Sequence, residues 1–204
     1  MMLNEIMTIG HSTHQLPDFL KLLRRGDITA VADVRSVPAS RFTPQFNRRP
    51  LEIGLREAGI KYVFLGEELG ARAKDATCYV NGRVQYARLA QRLEFVRGIE
   101  RLENGAGSER IAIMCSESEP LNCHRTVLVA RVLSDHGITI NHIHADGRIE
   151  SHASAMRRLM DKFGLAQDEL FRTLGERLND ALNRQESEIA YVGDDSYSAR
   201  MVDV

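Results

Sequence analysis

Residues 115–125 read CSESEPLNCHR and bring two thiols, two carboxylates, an imidazole and a guanidinium into one short segment. These groups suit acid–base or nucleophilic catalysis, metal binding or the binding of an anion. A polar loop that only caps a helix is the alternative without chemistry. The catalytic candidates in this segment are Cys115, Glu117, Cys123 and His124.

The segment is predicted to run into a helix over residues 122–137, with Asn122 as its N-cap. Free backbone N–H groups and the positive end of the helix dipole meet in the first turn of a helix. This position lowers the pKa of a thiol, here Cys123, and favours bound anions such as phosphate. The helix start is therefore predicted to form part of an anion site.

Arg125 falls in the same first turn, where a cation costs about 0.3–1 kcal/mol unless an anion offsets it. A residue that breaks a local rule in this way often belongs to a functional site. Two interpretations of Arg125 stay open. It binds an anionic substrate, or it forms a salt bridge with Glu117 or Glu119 that closes the loop.

The roles of the two cysteines also stay open. Cys115 ends an apolar strand, where a buried structural cysteine is the ordinary case. A nucleophilic role for Cys115 or Cys123 needs a base, for which His11, His124 and His142 are available. A phosphatase-type loop is not supported, because it needs five residues between cysteine and arginine, whereas nine residues lie between Cys115 and Arg125 and one between Cys123 and Arg125.

Further polar residues follow two other predicted strands. His11 and Ser12 come after the first, and Asp33 and Arg35 after the second. In an open parallel sheet, ligands bind outside the carboxyl ends of the strands, so these residues are expected to line the same site. Asp33 is a candidate base, and His11, Ser12 and Arg35 are candidates for substrate binding.

The loop RFTPQFNRR, residues 41–49, has three arginines and two phenylalanines, a composition found where nucleotides are bound. Ser40 and Arg41 at its start are further substrate-binding candidates. A solvated surface loop is the competing interpretation.

His142 and His144 alternate on a predicted strand, so both imidazoles point to one face, as in some zinc sites. Cys115, Cys123 or His11 could complete such a site. The signal is weak without a CxxC pair, so no metal ligand is assigned and no cofactor follows from the sequence.

Short apolar runs alternate with helical patterns along the chain. Strands are predicted at residues 5–9, 29–34, 61–65, 110–115 and 138–144, and helices at 14–25, 48–59, 82–105, 122–137, 151–164 and 168–185. This alternation predicts an α/β three-layer sandwich, with a mostly parallel sheet of about five strands and helices on both faces. One α/β domain is expected over residues 1–164, a helical extension over 165–192 and a flexible tail over 193–204.

The composition narrows the function classes. A formal net charge of −1 does not indicate a nucleic-acid partner, although a local basic patch stays possible. No apolar run is long enough to cross a membrane, no secretory signal is visible, and three cysteines do not suggest a disulfide scaffold. A cytoplasmic protein is expected, and its oligomeric state stays open.

The ordered motifs TIGHS, DVRSVPASR and CSESEPLNCHR resemble those of the domain-of-unknown-function family numbered 488. The similarity covers most of residues 7–146. Positions that match its motifs are Gly10, His11, Ser12, Asp33, Arg35, Pro38, Ser40, Arg41, Cys115, Glu117, Cys123, His124 and Arg125. One departure is Ala71, where the resemblance leads us to expect glycine. The family supports a shared site without naming its reaction.

We therefore expect a small cytoplasmic enzyme that acts on an anionic substrate, a nucleotide or a nucleic-acid-derived molecule, with hydrolysis or group transfer as its reaction. A module that binds a nucleotide or anion without turnover is the alternative. A zinc-binding protein is a third and weaker one.

Overall fold

The computed structural model describes residues 5–193, so the predicted tail from residue 194 onwards lies outside the described residues. Its strands are β1 (Glu5–Gly10), β2 (Ala30–Asp33), β3 (Lys61–Phe64), β4 (Tyr79–Val80), β5 (Arg83–Val84), β6 (Ile111–Cys115), β7 (Thr139–Ile143) and β8 (Ile149–Ser151). Six of them form one sheet in the order β3-β2-β6-β1-β7-β8, while β4 and β5 form a separate hairpin. All neighbours in the large sheet are parallel except β8, which is antiparallel to β7.

The central strands are apolar because both of their faces are covered. Every residue of β6 is buried, as expected for a parallel strand between two layers of helices. The register between β1 and β6 sets Gly10 beside Cys115. The ends of the TIGHS and CSESEPLNCHR motifs therefore start from adjacent positions at one edge of the sheet.

Helices cover both faces of the sheet. They are α1 (Leu16–Arg25), α2 (Arg48–Glu57), α3 (Gly66–Leu69), α4 (Tyr86–Ala90), α5 (Leu93–Ala106), α6 (Arg131–Asp135), α7 (His152–Lys162) and α8 (Leu174–Ile189). Alternate residues of β6 enter two different cores: Ala112 packs with the side of α1 and α2, and Ile113 with the side of α5 to α8. The predicted three-layer α/β sandwich is confirmed.

The large sheet contains one strand that the sequence analysis left out, in addition to the separate hairpin of β4 and β5. The five predicted strands are present, and the sixth is the short β8, which extends the sheet beyond β7. Its sequence, IES, is too short for alternation to distinguish it from a turn.

The longest predicted helix, over residues 82–105, is divided. Residues 82–105 form β5, α4 and α5, because the chain is extended at Arg92, between the two helices. As a result Phe95 turns to the core, whereas Val96 is 41% exposed.

The predicted helix over residues 122–137 begins later than expected. Asn122 is not its N-cap but ends a 3-10 turn, Pro120–Asn122. Cys123 is extended, and the helix then runs as a π-helical stretch, Arg125–Ala130, into α6. Since π-helical turns often occur at functional sites, this change is relevant to the site.

The C-terminal helix α8 packs against the same core as the sheet. Ala181 and Leu182 are buried in the core cluster that also contains Ile113. A capping box starts the helix, with Thr173 as N-cap and Glu176 as its reciprocal partner. Among the described residues, no helix combines the length and apolarity that crossing a membrane requires.

Candidate functional site

A cavity of about 410 Å³ lies at the carboxyl ends of β2 and β6. This is the edge of the sheet where ligands bind in open parallel folds. Its walls carry two guanidinium groups, from Arg35 and Arg72, and two aromatic rings, from Tyr86 and Tyr191. Its floor is formed by the four side chains Cys115, Glu117, Cys123 and His124, called the floor cluster below.

The floor cluster is a compact group of chemically active atoms. His124 Nδ1 lies 3.8 Å from Cys115 Sγ and 3.9 Å from Cys123 Sγ. Cys123 Sγ also lies 3.0 Å from Glu117 Oε2, a distance that holds one proton between them. The structure thus brings together all four catalytic candidates of the CSESEPLNCHR segment. Their convergence depends on the turn between β6 and the following helix.

The backbone around His124 fixes its tautomer. Its Nε2 donates a hydrogen bond to the carbonyl oxygen of Val34 at 3.1 Å, because a carbonyl can only accept. In the neutral ring, Nδ1 therefore carries the lone pair and faces the two sulfur atoms. The backbone N–H of Arg125 donates to Cys123 Sγ at 3.5 Å, so this sulfur takes the place of the predicted Asn122 cap.

The floor groups shift one another's pKa values. The pKa of Cys115 is raised by its hydrogen bond with Cys123 and by burial. Burial acts against the Cys123 thiolate, yet the hydrogen bond with Cys115 and the charge of Arg125 bring the pKa of Cys123 below its ordinary value. Burial and the neighbouring Cys123 raise the pKa of Glu117. One thiol is thus more acidic than the other, and the carboxyl group holds its proton more tightly.

Asp33 and Arg35 form a buried ion pair behind the cavity wall. Arg35 Nε donates to Asp33 Oδ1 at 2.9 Å and Arg35 Nη2 to Asp33 Oδ2 at 2.6 Å, which is the bidentate geometry that favours arginine. Tyr62 Oη donates to the same Oδ2 at 2.8 Å. Asp33 is fully buried, and it is not among the described residues that line the cavity. Its position is that of an anchor for Arg35.

His11 is held on the other side of Arg35. Its Nδ1 donates to the Ser12 carbonyl at 2.9 Å, so its Nε2 accepts from Arg35 Nη1 at 3.1 Å. The ring stacks on Phe46 with centroids 4.3 Å apart. Burial lowers the pKa of His11 to about 4, and the ring is neutral at physiological pH. His11 therefore orients the guanidinium that lines the cavity.

Arg125 does not form the predicted salt bridge, and its contact with a substrate stays a prediction. It is fully buried, and it is not among the described residues lining the cavity. Its Nη1 donates to the Glu117 carbonyl at 2.7 Å and its Nη2 to the Ser118 carbonyl at 3.3 Å. The predicted salt bridge through Glu117 or Glu119 is wrong: the guanidinium binds backbone oxygens instead, and Glu119 pairs with Arg158. Arg125 holds the loop that carries Glu117.

Gly10 packs closely against the backbone of the same loop, at Glu117. A Cβ atom at this position would stand 1.8 Å from the Glu117 carbonyl oxygen, so only glycine allows this approach. The glycine of the TIGHS motif is thus required by packing against the CSESEPLNCHR motif. Arg125 and Gly10 together fix the position of the backbone at Glu117.

The remaining predicted site residues differ in position. Ser40 lines the cavity, but its hydroxyl accepts from the Phe42 and Thr43 backbone N–H groups. Arg41 is exposed and packs over the Phe42 ring at 4.8 Å, outside the described lining. Ser12 has a positive φ of 48°, and its N–H donates to the Ser116 carbonyl. It shapes the strand end and does not line the cavity.

The predicted histidine pair lies in a second polar group, formed by Thr8, His142, His144, Glu150 and His152 and called the edge cluster below. His142 hydrogen-bonds with Thr8 Oγ1 at 2.7 Å and with His152 Nδ1 at 3.1 Å, while His144 pairs with Glu150 at 2.8 Å. Within residues 5–193, the potential metal-binding group is instead Cys115, Cys123 and His124, whose ligand atoms lie within 4.8 Å of one another. His142 and His144 do not belong to this group, so the version of the metal hypothesis that uses them gains no support from it.

Several cavity residues were missed by the sequence analysis. Arg72 and Tyr191 line the cavity and pack together, with the guanidinium carbon 4.6 Å from the ring centroid. Tyr86 follows β5, and Tyr191 follows the last helix, far from the motifs in sequence. The connection over residues 70–83, which carries Arg72, is long for an α/β unit, and this length was the available signal.

A larger cavity of about 580 Å³ lies between α6, α7 and α8. Its lining is rich in apolar residues such as Met156, Met160 and Leu178, and none of the predicted site residues contributes to it. The smaller cavity at the strand ends is the one lined by the floor cluster.

These observations define an α/β protein with a cavity of thiol, imidazole and guanidinium groups at the carboxyl ends of its central strands. Residues 15–132 match the model of the family described as domain of unknown function DUF488. Because the match spans more than half of the chain, the chain belongs to this family, as its motifs indicated. Comparison with curated proteins and with solved structures finds no significant match.

Proposed function

We propose that this protein is a small cytoplasmic enzyme that acts on a small anionic substrate, a nucleotide or a nucleic-acid-derived molecule, bound in the cavity above the floor cluster. Hydrolysis or group transfer is the reaction class that these groups support. The observation that carries the proposal is the sharing of one cavity by two guanidinium groups and the acid–base and thiol groups of the floor cluster.

The size and walls of the cavity favour a single small molecule. Its volume of about 410 Å³ lies in the usual range for small-molecule sites, about 300–1,000 Å³. Tyr86 and Tyr191 offer aromatic surfaces of the kind on which bases stack. The formal net charge of −1 argues against a long polyanion as the partner.

The two arginines have different surroundings. Arg35 is fixed by Asp33, His11 and the Phe46 carbonyl, which together use four of the five N–H bonds of a guanidinium. Its second Nη1 hydrogen has no partner among the described residues and is available to a ligand. Arg72 is exposed and contacts the ring of Tyr191, so it is free to approach an anion without breaking an ion pair.

Glu117 is the best-placed general acid. Its raised pKa favours the protonated form, and its carboxyl group lines the cavity. A carboxyl group with a raised pKa can donate a proton to a leaving group near neutral pH. The alternative function, binding without turnover, uses the same walls but gives Glu117 no role in chemistry.

Ligand binding is tested first with Arg72→Gln, using inorganic phosphate and adenosine monophosphate as probes in isothermal titration calorimetry. We expect the dissociation constant to rise at least about tenfold, because a charge-assisted hydrogen bond contributes about 1.5–3 kcal/mol. The matched control is Arg97→Gln, an exposed arginine on α5 outside the described cavity lining. Equal affinities in both variants and the wild type would remove the anion site.

Turnover is tested by incubating the protein with a metabolite extract and following consumed compounds by mass spectrometry. We expect wild-type protein to consume at least one phosphorylated or otherwise anionic compound, and Glu117→Gln to lose this activity while it still binds that compound. If probes bind and nothing is consumed, the protein is a binding module. If Glu117→Gln keeps full activity, Glu117 is not the acid.

A further inference from the structure

We infer that Cys115, Cys123 and His124 bind a Zn²⁺ ion at the floor of the cavity, with one coordination position open to the cavity. This inference goes beyond the proposed function, because the ion binds whether or not the protein turns over a substrate. It rests on ligand geometry, on the partners of the ligands and on the chemistry of the donor set.

The spacing of the ligand atoms fits one tetrahedral ion. With Zn–S bonds of about 2.3 Å and Zn–N bonds of about 2.0–2.1 Å, tetrahedral ligands stand about 3.5–3.8 Å apart. Both sulfur atoms lie at 3.8 and 3.9 Å from His124 Nδ1, and all three atoms lie within 4.8 Å of one another. The two S–N distances need to shorten by only a few tenths of an ångström, and the S–S distance by at most about 1 Å, to close this group around the ion.

The orientation of His124 is that of a metal ligand. A histidine that binds a metal through one nitrogen usually donates its other N–H to a carbonyl or carboxylate, which fixes the tautomer. Here Nε2 donates to the Val34 carbonyl, and Nδ1 is left to face the sulfurs. The protein thus aims a lone pair at a point shared with two thiols, which a merely structural histidine would not require.

One of the two sulfur atoms, that of Cys123, accepts a backbone hydrogen bond that favours negative charge. Cys123 Sγ accepts the backbone N–H of Arg125, a bond that strengthens as the thiol becomes a thiolate. Cys115 is 4% and Cys123 2% exposed, and two thiolates buried in such proximity need a cation between them. Two thiolates with a divalent ion carry no net charge. Soft sulfur donors with an imidazole favour zinc over magnesium or calcium.

Glu117 stands beside the ion as a second functional group. Its Oε2 lies 3.0 Å from Cys123 Sγ, on the cavity side of the cluster. An ion held by two cysteines and a histidine, with a glutamate that is not a ligand, is the arrangement by which zinc deaminases activate water. A water on the open position would release its proton to solvent, so the zinc would supply the hydroxide for the proposed hydrolysis, while protonated Glu117 would give its proton to the leaving group.

The ion is tested on untagged full-length protein, purified without chelator and analysed for metal by mass spectrometry. We expect about one equivalent of zinc in the wild type, and less than about a tenth in Cys115→Ser and Cys123→Ser, because a three-ligand site loses most of its affinity with one thiolate. The matched control is Cys78→Ser, the third cysteine, which is buried outside the cluster. This variant is expected to keep the metal.

A second measurement needs no variant. Cobalt added to metal-free wild-type protein is expected to give the intense thiolate-to-cobalt charge-transfer absorption of a tetrahedral sulfur site, and zinc to abolish it. Circular dichroism of each variant separates metal loss from unfolding. Glu117→Gln is expected to keep both the zinc content and the cobalt spectrum.

Three results would overturn the inference. They are wild-type protein without zinc and without the cobalt absorption, retention of zinc in the double variant Cys115→Ser/Cys123→Ser, and a Cys115–Cys123 disulfide in protein kept from reductant. Because anion binding at Arg72 is measured separately, loss of the zinc site leaves the proposed function testable on its own.

Discussion

The floor cluster and the edge cluster both combine histidines with other ionisable side chains, yet they differ in what the histidine nitrogens contact. In the edge cluster, His142 uses both ring nitrogens, on Thr8 and on His152. In the floor cluster, His124 Nδ1 faces two sulfurs at 3.8 and 3.9 Å and lines a cavity. A cluster closed by short hydrogen bonds stabilises the fold, whereas one whose histidine nitrogen makes only long contacts with thiols beside a cavity is equipped for a ligand.

Charge follows the same division. Glu150 of the edge cluster is paired by His144 and Arg158, and its hydrogen bond with Arg158 lowers its pKa to about 2. Glu117 of the floor cluster has no cationic side chain against its carboxylate among its described hydrogen bonds, and burial raises its pKa. The four predictions below test the contacts that support the cavity and the two clusters, in order of decreasing expected effect.

The largest effect is expected from Asp33→Ala. It leaves Arg35 buried without its carboxylate, and removing one partner of a buried ion pair costs about 3–5 kcal/mol. The free energy of unfolding, measured by urea denaturation, should fall by that amount. The control Asp161→Ala, on the exposed side of α7, should change it by less than about 0.5 kcal/mol. A similar small change for both would show that Asp33 is not the anchor of the cavity wall.

Gly10→Ala is expected to have the next largest effect. The added methyl group collides with the Glu117 carbonyl and must displace the loop of the floor cluster, at a cost of about 1–3 kcal/mol. Hydrogen exchange should rise at residues 116–120, next to the floor. Gly175→Ala in α8, where the nearest atom is 4.0 Å away, should be neutral or slightly stabilising. Unchanged exchange in Gly10→Ala would contradict the close approach of the two motifs.

Glu150→Gln tests the edge cluster through the pH dependence of the free energy of unfolding. The folded pKa of Glu150 lies near 2, below its ordinary value of 4.5, so its contribution is complete above pH 4.5 and is lost as the pH falls towards 2. Over this interval the unfolding free energy of the wild type should fall about 1–3 kcal/mol more than that of the variant. Glu100→Gln, an exposed glutamate of α5, should keep the wild-type slope. Parallel slopes for Glu150→Gln and wild type would refute the pairing.

The smallest effect is expected at the rim of the cavity. Arg41 packs over the exposed ring of Phe42, and such contacts are worth about 0.5–1 kcal/mol. A double-mutant cycle of Arg41→Ala and Phe42→Ala should give a coupling in unfolding free energy no larger than this. A coupling above about 2 kcal/mol would place Arg41 among the anchored arginines. Arg41 would then be held by neighbouring groups, as Arg35 is, and would differ from the exposed Arg72.

Parts of the site were predictable because strand ends in a parallel sheet share one edge. Arg35 and the four floor residues, assigned from motifs that follow β2 and β6, line the same cavity. Arg125 was misplaced, because a sequence cannot tell a guanidinium that binds an anion from one that binds the carbonyls of its own loop. Tyr191 was missed because it comes from the end of α8, whose packing no local pattern encodes.

The sequence by itself determined the layered α/β fold, the order of its five parallel strands along the chain and the edge of the sheet that carries the polar motifs, since these follow from apolar periodicity and from the carboxyl-end rule. Only the tertiary structure decided what each histidine contacts. The sequence offered His142 as a possible metal ligand and His124 as a possible base. Their difference arises because hydrogen-bond partners such as Thr8 and Val34 reach them from distant strands.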